Sequence, residues 1–162
     1  MTTRLATVDD VPRILELIQA LAEYEREPDA VETSEADLHA ALFPSEGEAK
    51  VFCHVAEAGD RVVGMALWFL TFSTWTGQHG IWLEDLFVEP EARGGGHGQA
   101  LLATLAQVCV ERGYPRFEWT VLDWNEPSIA FYRAMGAVAM NEWTTQRLTG
   151  DALVAMAARA RD

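Results

Sequence analysis

Two adjacent carboxylates, Glu84 and Asp85, interrupt a segment that is otherwise apolar on both alternating faces, with Ile81-Trp82-Leu83 before them and Leu86-Phe87-Val88 after. A strand of that composition is covered on both sides, and an unpaired carboxylate buried there is strongly destabilising. The pair therefore has either a chemical purpose or an edge position from which the acids reach water or a basic partner. Downstream, Arg93-Gly94-Gly95-Gly96-His97-Gly98 leads from the strand into an amphipathic stretch. Glycines let the backbone turn sharply and approach a ligand closely, and the free N–H groups where a helix begins point at anionic oxygens. The segment reads as a phosphate site, or, taken alone, as a flexible loop with no ligand. Gly98 is followed by Gln99 and Ala100 where a P-loop needs Lys and then Ser or Thr, and no third glycine completes a G-x-G-x-x-G pattern. Nucleotide-kinase and dinucleotide-binding chemistry are both disfavoured.

The elements that must position these groups follow from periodicity. Arg4 to Ala6 reads as a short first strand. A helix capped by Thr7 or Asp9 follows, with Pro12 near its first turn and an apolar stripe of Val11, Ile14, Leu15, Ile18, Leu21 and Ala22. A second helix is expected over Ser34 to Phe43. Val51 to Ala56 and Val62 to Phe72 form a β-hairpin through Glu57-Ala58-Gly59-Asp60, and a third strand runs from Ile81 to Val88. After the glycines, Leu101, Leu102, Leu105, Val108 and Cys109 mark one face of a helix ending at Gly113. Phe117, Trp119 and Val121 alternate as a strand does, Pro127 to Met135 reads as a short helix stopped at Gly136, and Glu142 to Leu148 as a last strand. The order β-α-α-β-β-β-α-β-α-β indicates a mixed α/β sheet covered by helices.

The 162 residues suit one domain, with about two-thirds of the unfolded chain's surface buried. No repeat or Pro/Gly-rich linker divides residues 1–162. No apolar run reaches the roughly 20 residues of a membrane-spanning helix, so a soluble protein is expected, with no membrane partner. The first ten residues carry no apolar stretch after Arg4, which reads as the absence of a secretion signal and places the protein in the cytoplasm. Cys53 and Cys109 read as buried thiols, and the four histidines show no zinc spacing, so no metal is implied. A net charge of −13 disfavours nucleic acid and favours cations, or simply aids solubility. The acids are clustered: nine carboxylates and one base, Arg26, lie between Glu23 and Glu48.

Arg93-x-x-Gly96-x-Gly98 resembles the (Arg/Gln)-x-x-Gly-x-(Gly/Ala) signature of the GNAT N-acetyltransferases. The likeness extends to Leu83-Glu84-Asp85-Leu86-Phe87-Val88 and to Leu122-Asp123-Trp124-Asn125-Glu126-Pro127-Ser128-Ile129-Ala130-Phe131-Tyr132. With Leu21-Ala22-Glu23-Tyr24-Glu25 and Ser73-Thr74-Trp75, these blocks are similar to the diamine acetyltransferases, which include spermidine/spermine and thialysine N-acetyltransferases. Ser73 stands where the polyamine-preferring members have Asp, and Ser-Thr-Trp and Leu-Asp-Trp-Asn are closer to the thialysine branch.

The resemblance implies an α/β (α+β) GNAT fold: a mixed, mostly antiparallel central sheet flanked by helices, with a β-bulge at the acetyl-CoA site. It implies direct acetyl transfer from acetyl-CoA to a primary amine of a small cation, a diamine or polyamine such as spermidine, or else thialysine or another lysine-like amino acid. A coenzyme A-binding or polyamine-sensing module without turnover is the alternative from another class. An aliphatic ammonium has a pKa of about 10.4, so a base must remove a proton before attack. The resemblance gives that role to Glu84, through a water, and gives Tyr132 the role of general acid toward the leaving thiolate. Coenzyme contacts are implied for Leu86, whose N–H would stabilise the thioester oxygen, and for Phe87 and Val88. They are implied equally for Arg93, Gly94, Gly95, Gly96, His97, Gly98 and Gln99, and for Asn125, Glu126, Pro127, Ser128 and Tyr132. Asn125 is equally a helix N-cap. Amine contacts are implied for Tyr24, Glu25, Trp75, Glu84 and Asp85, and for Glu142 where the alignment shifts. Trp68, Trp82, Trp119, Trp124 and Trp143 are expected in the core or at the interface of a homodimer.

Overall fold

Short local signals set the helix starts. In the computed structural model, which describes residues 2–160, strand β1 (Thr2–Leu5) leads through a 3₁₀ turn into helix α1 (Val11–Tyr24), with Pro12 in its first turn. The buried Asp10 accepts the Thr7 N–H at 2.7 Å and both terminal nitrogens of Arg4 at 2.6 and 2.9 Å, which ties β1 to the start of α1. Helix α2 (Glu35–Leu42) is capped by Ser34 and Asp37, each accepting the other's backbone N–H.

Strands β2 (Val51–Ala58), β3 (Arg61–Ser73) and β4 (Gln78–Val88) follow as an antiparallel meander. Helix α3 (His97–Arg112) ends at Gly113, whose φ of 69° is the left-handed conformation the sequence predicts there. Strand β5 (Phe117–Glu118) completes a sheet of order β1-β2-β3-β4-β5, in which only the β4–β5 pair is parallel. Alternation along the strands separates two faces. Cys53, Val55, Met65 and Phe87 pack with Val11, Ile14, Leu17, Leu38 and Leu42 of α1 and α2. On the other face, Thr3 meets Thr104 of α3 at 2.8 Å, while the next residue, Arg4, reaches the α1 side. Trp68 is buried, and its Nε1 donates to His54 Nδ1 at 3.1 Å. Cys53 and Cys109 are buried and unpaired, and burial pushes the Cys53 thiol up to about 12.

These elements form one compact unit, residues 1–122, and residues 123–162 form a second. The second holds α4 (Glu126–Ala134) and α5 (Gly150–Ala157). Two expectations are corrected. The strand predicted from Phe117 to Val121 is limited to Phe117–Glu118, paired with Ile81 and Trp82. The ladder stops where β4 bulges at Glu84, because a bulge bends its strand away from a neighbour. The strand predicted from Glu142 to Leu148 is absent: residues 143–149 are irregular, and Trp143 is 72% exposed. With only Trp143 and Leu148 apolar, that segment has no face to bury, whereas the Ala-rich stretch after it supports α5.

Candidate active site

The glycine loop begins the site. After β4, residues 90–92 make one 3₁₀ turn, and Gly94 and Gly96 take φ of 79° and 81°, a conformation other residues rarely adopt. Gly96 is the N-cap of α3, and the first helical bond is donated by Ala100 to Gly96 O at 2.9 Å. The N–H groups of His97, Gly98 and Gln99 therefore lie ahead of the helical ladder, where an α-helix leaves its donors to an outside acceptor. The His97 ring is buried, with Nδ1 lacking a partner, and a Cβ on Gly95 would lie 3.1 Å from its Cδ2.

Arg93 opens the loop with its side chain already engaged. Nε donates to Val88 O at 3.0 Å, and the guanidinium lies 4.9 Å over the Tyr24 ring and 5.7 Å over Phe87. Tyr24 ends α1, and Glu25 follows it.

Strand β4 supplies the acids. Leu83 pairs with Trp68 and Asp85 with Leu67, so Glu84 is the extra residue of a β-bulge. The bulge places Asp85 and Phe87 on the α1–α2 face. Glu84 is exposed and accepts the Trp82 indole N–H at 2.9 Å. Asp85 is pushed up to about 6, first by burial and then by the nearby charges of Glu84 and Glu25. Burial also raises Glu25. The Glu89 N–H donates to Val63 O on β3 at 2.9 Å. By ladder alternation, Leu86 and Val88 direct their N–H groups to the opposite side, beyond the short pairing with β5.

The first unit thus gathers Tyr24, Glu25, Glu84, Asp85, Leu86, Phe87, Val88 and Arg93. Trp75 is not gathered: it is 86% exposed at the tip of the β3–β4 hairpin, six positions of strand beyond Gln78 from Glu84, about 20 Å. Ser73, also at that tip, accepts the Thr76 N–H at 3.4 Å, a turn-forming role. In the second unit, the buried Asn125 caps α4 by accepting the Ser128 N–H at 3.3 Å, with Glu126 and Pro127 in the first turn. Tyr132 lies half-buried on α4 with its ring 5.4 Å from that of Phe131. Glu142 is exposed in a turn.

Two contributions had no clear sequence signal. Trp82, expected only as core or interface, holds Glu84. Glu89 is gripped by Arg13 of α1 and Arg61 of β3, which pins the end of β4 where the loop starts. Glu89's partners, 76 and 28 positions away in sequence, leave no periodic trace.

The chain matches the Acetyltransferase (GNAT) family over residues 14–137. It belongs to that family. It is 38% identical to the thialysine N-epsilon-acetyltransferase of Sus scrofa, the match covering 96% of each chain. It is 31% identical to the L-ornithine N5-acetyltransferase NATA1 of Arabidopsis thaliana over 94% of this chain and 86% of that one. Among solved structures, an integron cassette protein from the mobile metagenome of V. cholerae superposes with a TM-score of 0.79 at 25% identity, covering 96% of each chain. This GNAT protein is an acetyltransferase, with an amine as acceptor and the family's acetyl-CoA as co-substrate. The uncommitted N–H groups of residues 97–99 and the positive φ at Gly94 and Gly96 fit a pyrophosphate. No helix among the described residues is long and apolar enough to cross a membrane.

Proposed function

We propose that this GNAT enzyme transfers acetyl from acetyl-CoA directly to the terminal primary amine of a small cation, at the bulge of β4. The observation that carries this reading is the placement of Glu25 and Glu84 beside Asp85, whose carboxyl is kept high first by burial and then by those two charges: negative charge crowded on a half-buried surface favours a bound ammonium. Asp85 and Glu25 hold the cation, and Glu84, open to solvent and fixed by Trp82, takes the ammonium proton through a water. The freed nitrogen forms its bond to the acetyl carbon as the carbon–sulfur bond breaks. Leu86 N–H stabilises the oxygen where charge develops, and Tyr132 gives its phenolic proton to the departing sulfur. Residues 94–99 hold the pyrophosphate, and Asn125 and Ser128 complete the coenzyme contacts. No step is assigned to a metal.

Both units serve one acetyltransferase domain in this reading, supported by a family match that runs from residue 14 to 137, across their boundary. Relatives named for thialysine and ornithine favour the side-chain amine of a basic amino acid over spermidine, and Ser73, engaged in its turn, adds no carboxylate for a polyamine. The two buried unpaired thiols suit a reducing cytoplasm. Exposed Val138, Met140, Trp143, Val154 and Met156 favour a homodimer that covers them, to be checked by sedimentation. Acetyl-CoA consumption across thialysine, ornithine, a short diamine and spermidine tests the acceptor: turnover highest with the amino acids is expected, and no turnover with any primary amine removes the reading. Tyr132→Phe should lower kcat by about 10²- to 10⁴-fold with coenzyme affinity retained. Wild-type kcat in that variant would assign the proton to another donor.

A further inference from the structure

The side chain that opens the coenzyme loop is anchored on the element that carries the amine contacts. Arg93 donates Nε to Val88 O at 3.0 Å, and its guanidinium lies 4.9 Å from the Tyr24 centroid and 5.7 Å from that of Phe87. Phe87 is 4% exposed and belongs to the core formed with α1 and α2, so one of the two rings is immobile on β4. Tyr24 is the last residue of α1, and the next residue, Glu25, faces Asp85. A planar cation over two aromatic faces is held by the ring quadrupoles as well as by its charge, which an ammonium would not reproduce equally.

From this placement we propose that Tyr24 is a positioning residue for the coenzyme loop, acting through Arg93, and that the same contact couples occupancy of the loop to the acid cluster that receives the amine. The inference rests on the coenzyme and amine assignments above. Gly94 and Gly96 give this segment wide conformational freedom in the unfolded chain. The Arg93 strut removes part of that freedom by fixing where the loop leaves β4. A ligand that orders the loop restricts Arg93 to the contact with Tyr24 that is already formed, and the end of α1 with it, so Glu25 is held in place before the ammonium arrives. Linkage makes the effect reciprocal: the amine must tighten coenzyme binding by the same factor. The magnitude follows from the contact, because a half-exposed cation–π pair supports about a 2- to 10-fold effect.

The test uses coenzyme A, which binds without donating an acetyl group, so that its ternary complex with thialysine or spermidine is stable. Calorimetry gives the amine Kd without and with saturating coenzyme A in wild type, Tyr24→Phe, Tyr24→Leu and Arg93→Lys. Wild type should show amine binding tightened about 2- to 10-fold by coenzyme A. Tyr24→Phe keeps the ring and should keep both the ratio and the coenzyme affinity. Tyr24→Leu should bring the ratio to one and weaken coenzyme A itself about 2- to 10-fold, although Tyr24 lies outside the loop. Arg93→Lys, which retains the charge without the planar group, should do the same. Circular dichroism and melting temperature establish that each variant is folded. A Tyr24→Leu protein that loses amine affinity alone, with coenzyme affinity and the ratio unchanged, would overturn the coupling and leave Tyr24 a simple amine contact. Wild type that binds no coenzyme A would overturn the assignment of the loop, and the coupling with it.

Discussion

At the scale of single residues, Asp85 and Glu84 are neighbours in sequence with opposite environments, because one bulge sits between their pairing partners. Asp85 is pushed up to about 6 by burial and by Glu84 and Glu25. The folded protein therefore binds that proton more tightly than the unfolded chain does. Stability falls as pH rises from about 4 through 6, and above 6 the full cost of the ionised group is present, on the order of 2 kcal/mol. Asp85→Asn should raise the melting temperature at pH 7 to 8 by roughly 5 °C, with the difference vanishing below about pH 4. Thermal melts at several pH values check this; an increment independent of pH would mean that the charge is not the cause. In the same variant the amine KM should rise, and its increase below pH 6, expected for wild type as Asp85 loses its charge, should disappear. Glu84→Gln should act differently: its rate should fall most at neutral pH and partly recover as free amine accumulates. A pH–rate profile superimposable on wild type would exclude Glu84 as the base.

At the scale of elements, the loop between β4 and α3 depends on backbone conformation more than on side chains. Gly96 holds φ at 81° as the N-cap of α3, a position where Ser or Asp would ordinarily cap but would be strained by the turn. Gly96→Val should weaken acetyl-CoA binding at least 10-fold, about 1.4 kcal/mol, by straining that turn and crowding the backbone's approach to a phosphate. Calorimetry on folded protein checks it, and unchanged affinity would remove the loop from the coenzyme site. Helices α1 to α4 and most of the meander were legible because their cues are local, whereas α5 was not predicted. Ser34 with Asp37, Pro12, Gly113 and Gly136 each mark an end within a few residues. The absence of the strand predicted over Glu142 to Leu148 was not legible, because a strand is satisfied only by a partner. The Thr-rich run from Glu142 has β propensity without a neighbour among the described residues.

At the scale of the whole molecule, charge is distributed unevenly. The nine carboxylates between Glu23 and Glu48 run from the end of α1 through α2 and into the segment after it, and Glu25, the member beside Asp85, joins them to the proposed amine site. If their field steers cations, salt must screen it, with a Debye length of about 8 Å near physiological ionic strength. KM for thialysine or spermidine should therefore rise with salt more steeply than KM for a less charged monoamine, and Glu25→Gln should reduce the difference. Equal salt dependence would leave the acidic segment a role in solubility alone.

The proposed chemistry rests on an anion loop at a strand-to-helix junction and two acids inside an apolar strand, read from types and spacing, and on a tyrosine after an Asn-Glu-Pro-Ser block, read from the family resemblance. Those features depend on residues close in the chain, so they survive without a structure. The tertiary structure decided which acid is buried, since the bulge in β4 sets side-chain parity and is defined only against β3. It also decided that Arg93 is held by Tyr24 and Phe87 and that Trp75 stands apart at a hairpin tip. Contacts between α1, β4 and the glycine loop depend on strand pairing and helix packing, and the spacing of residues along the chain carries no record of either.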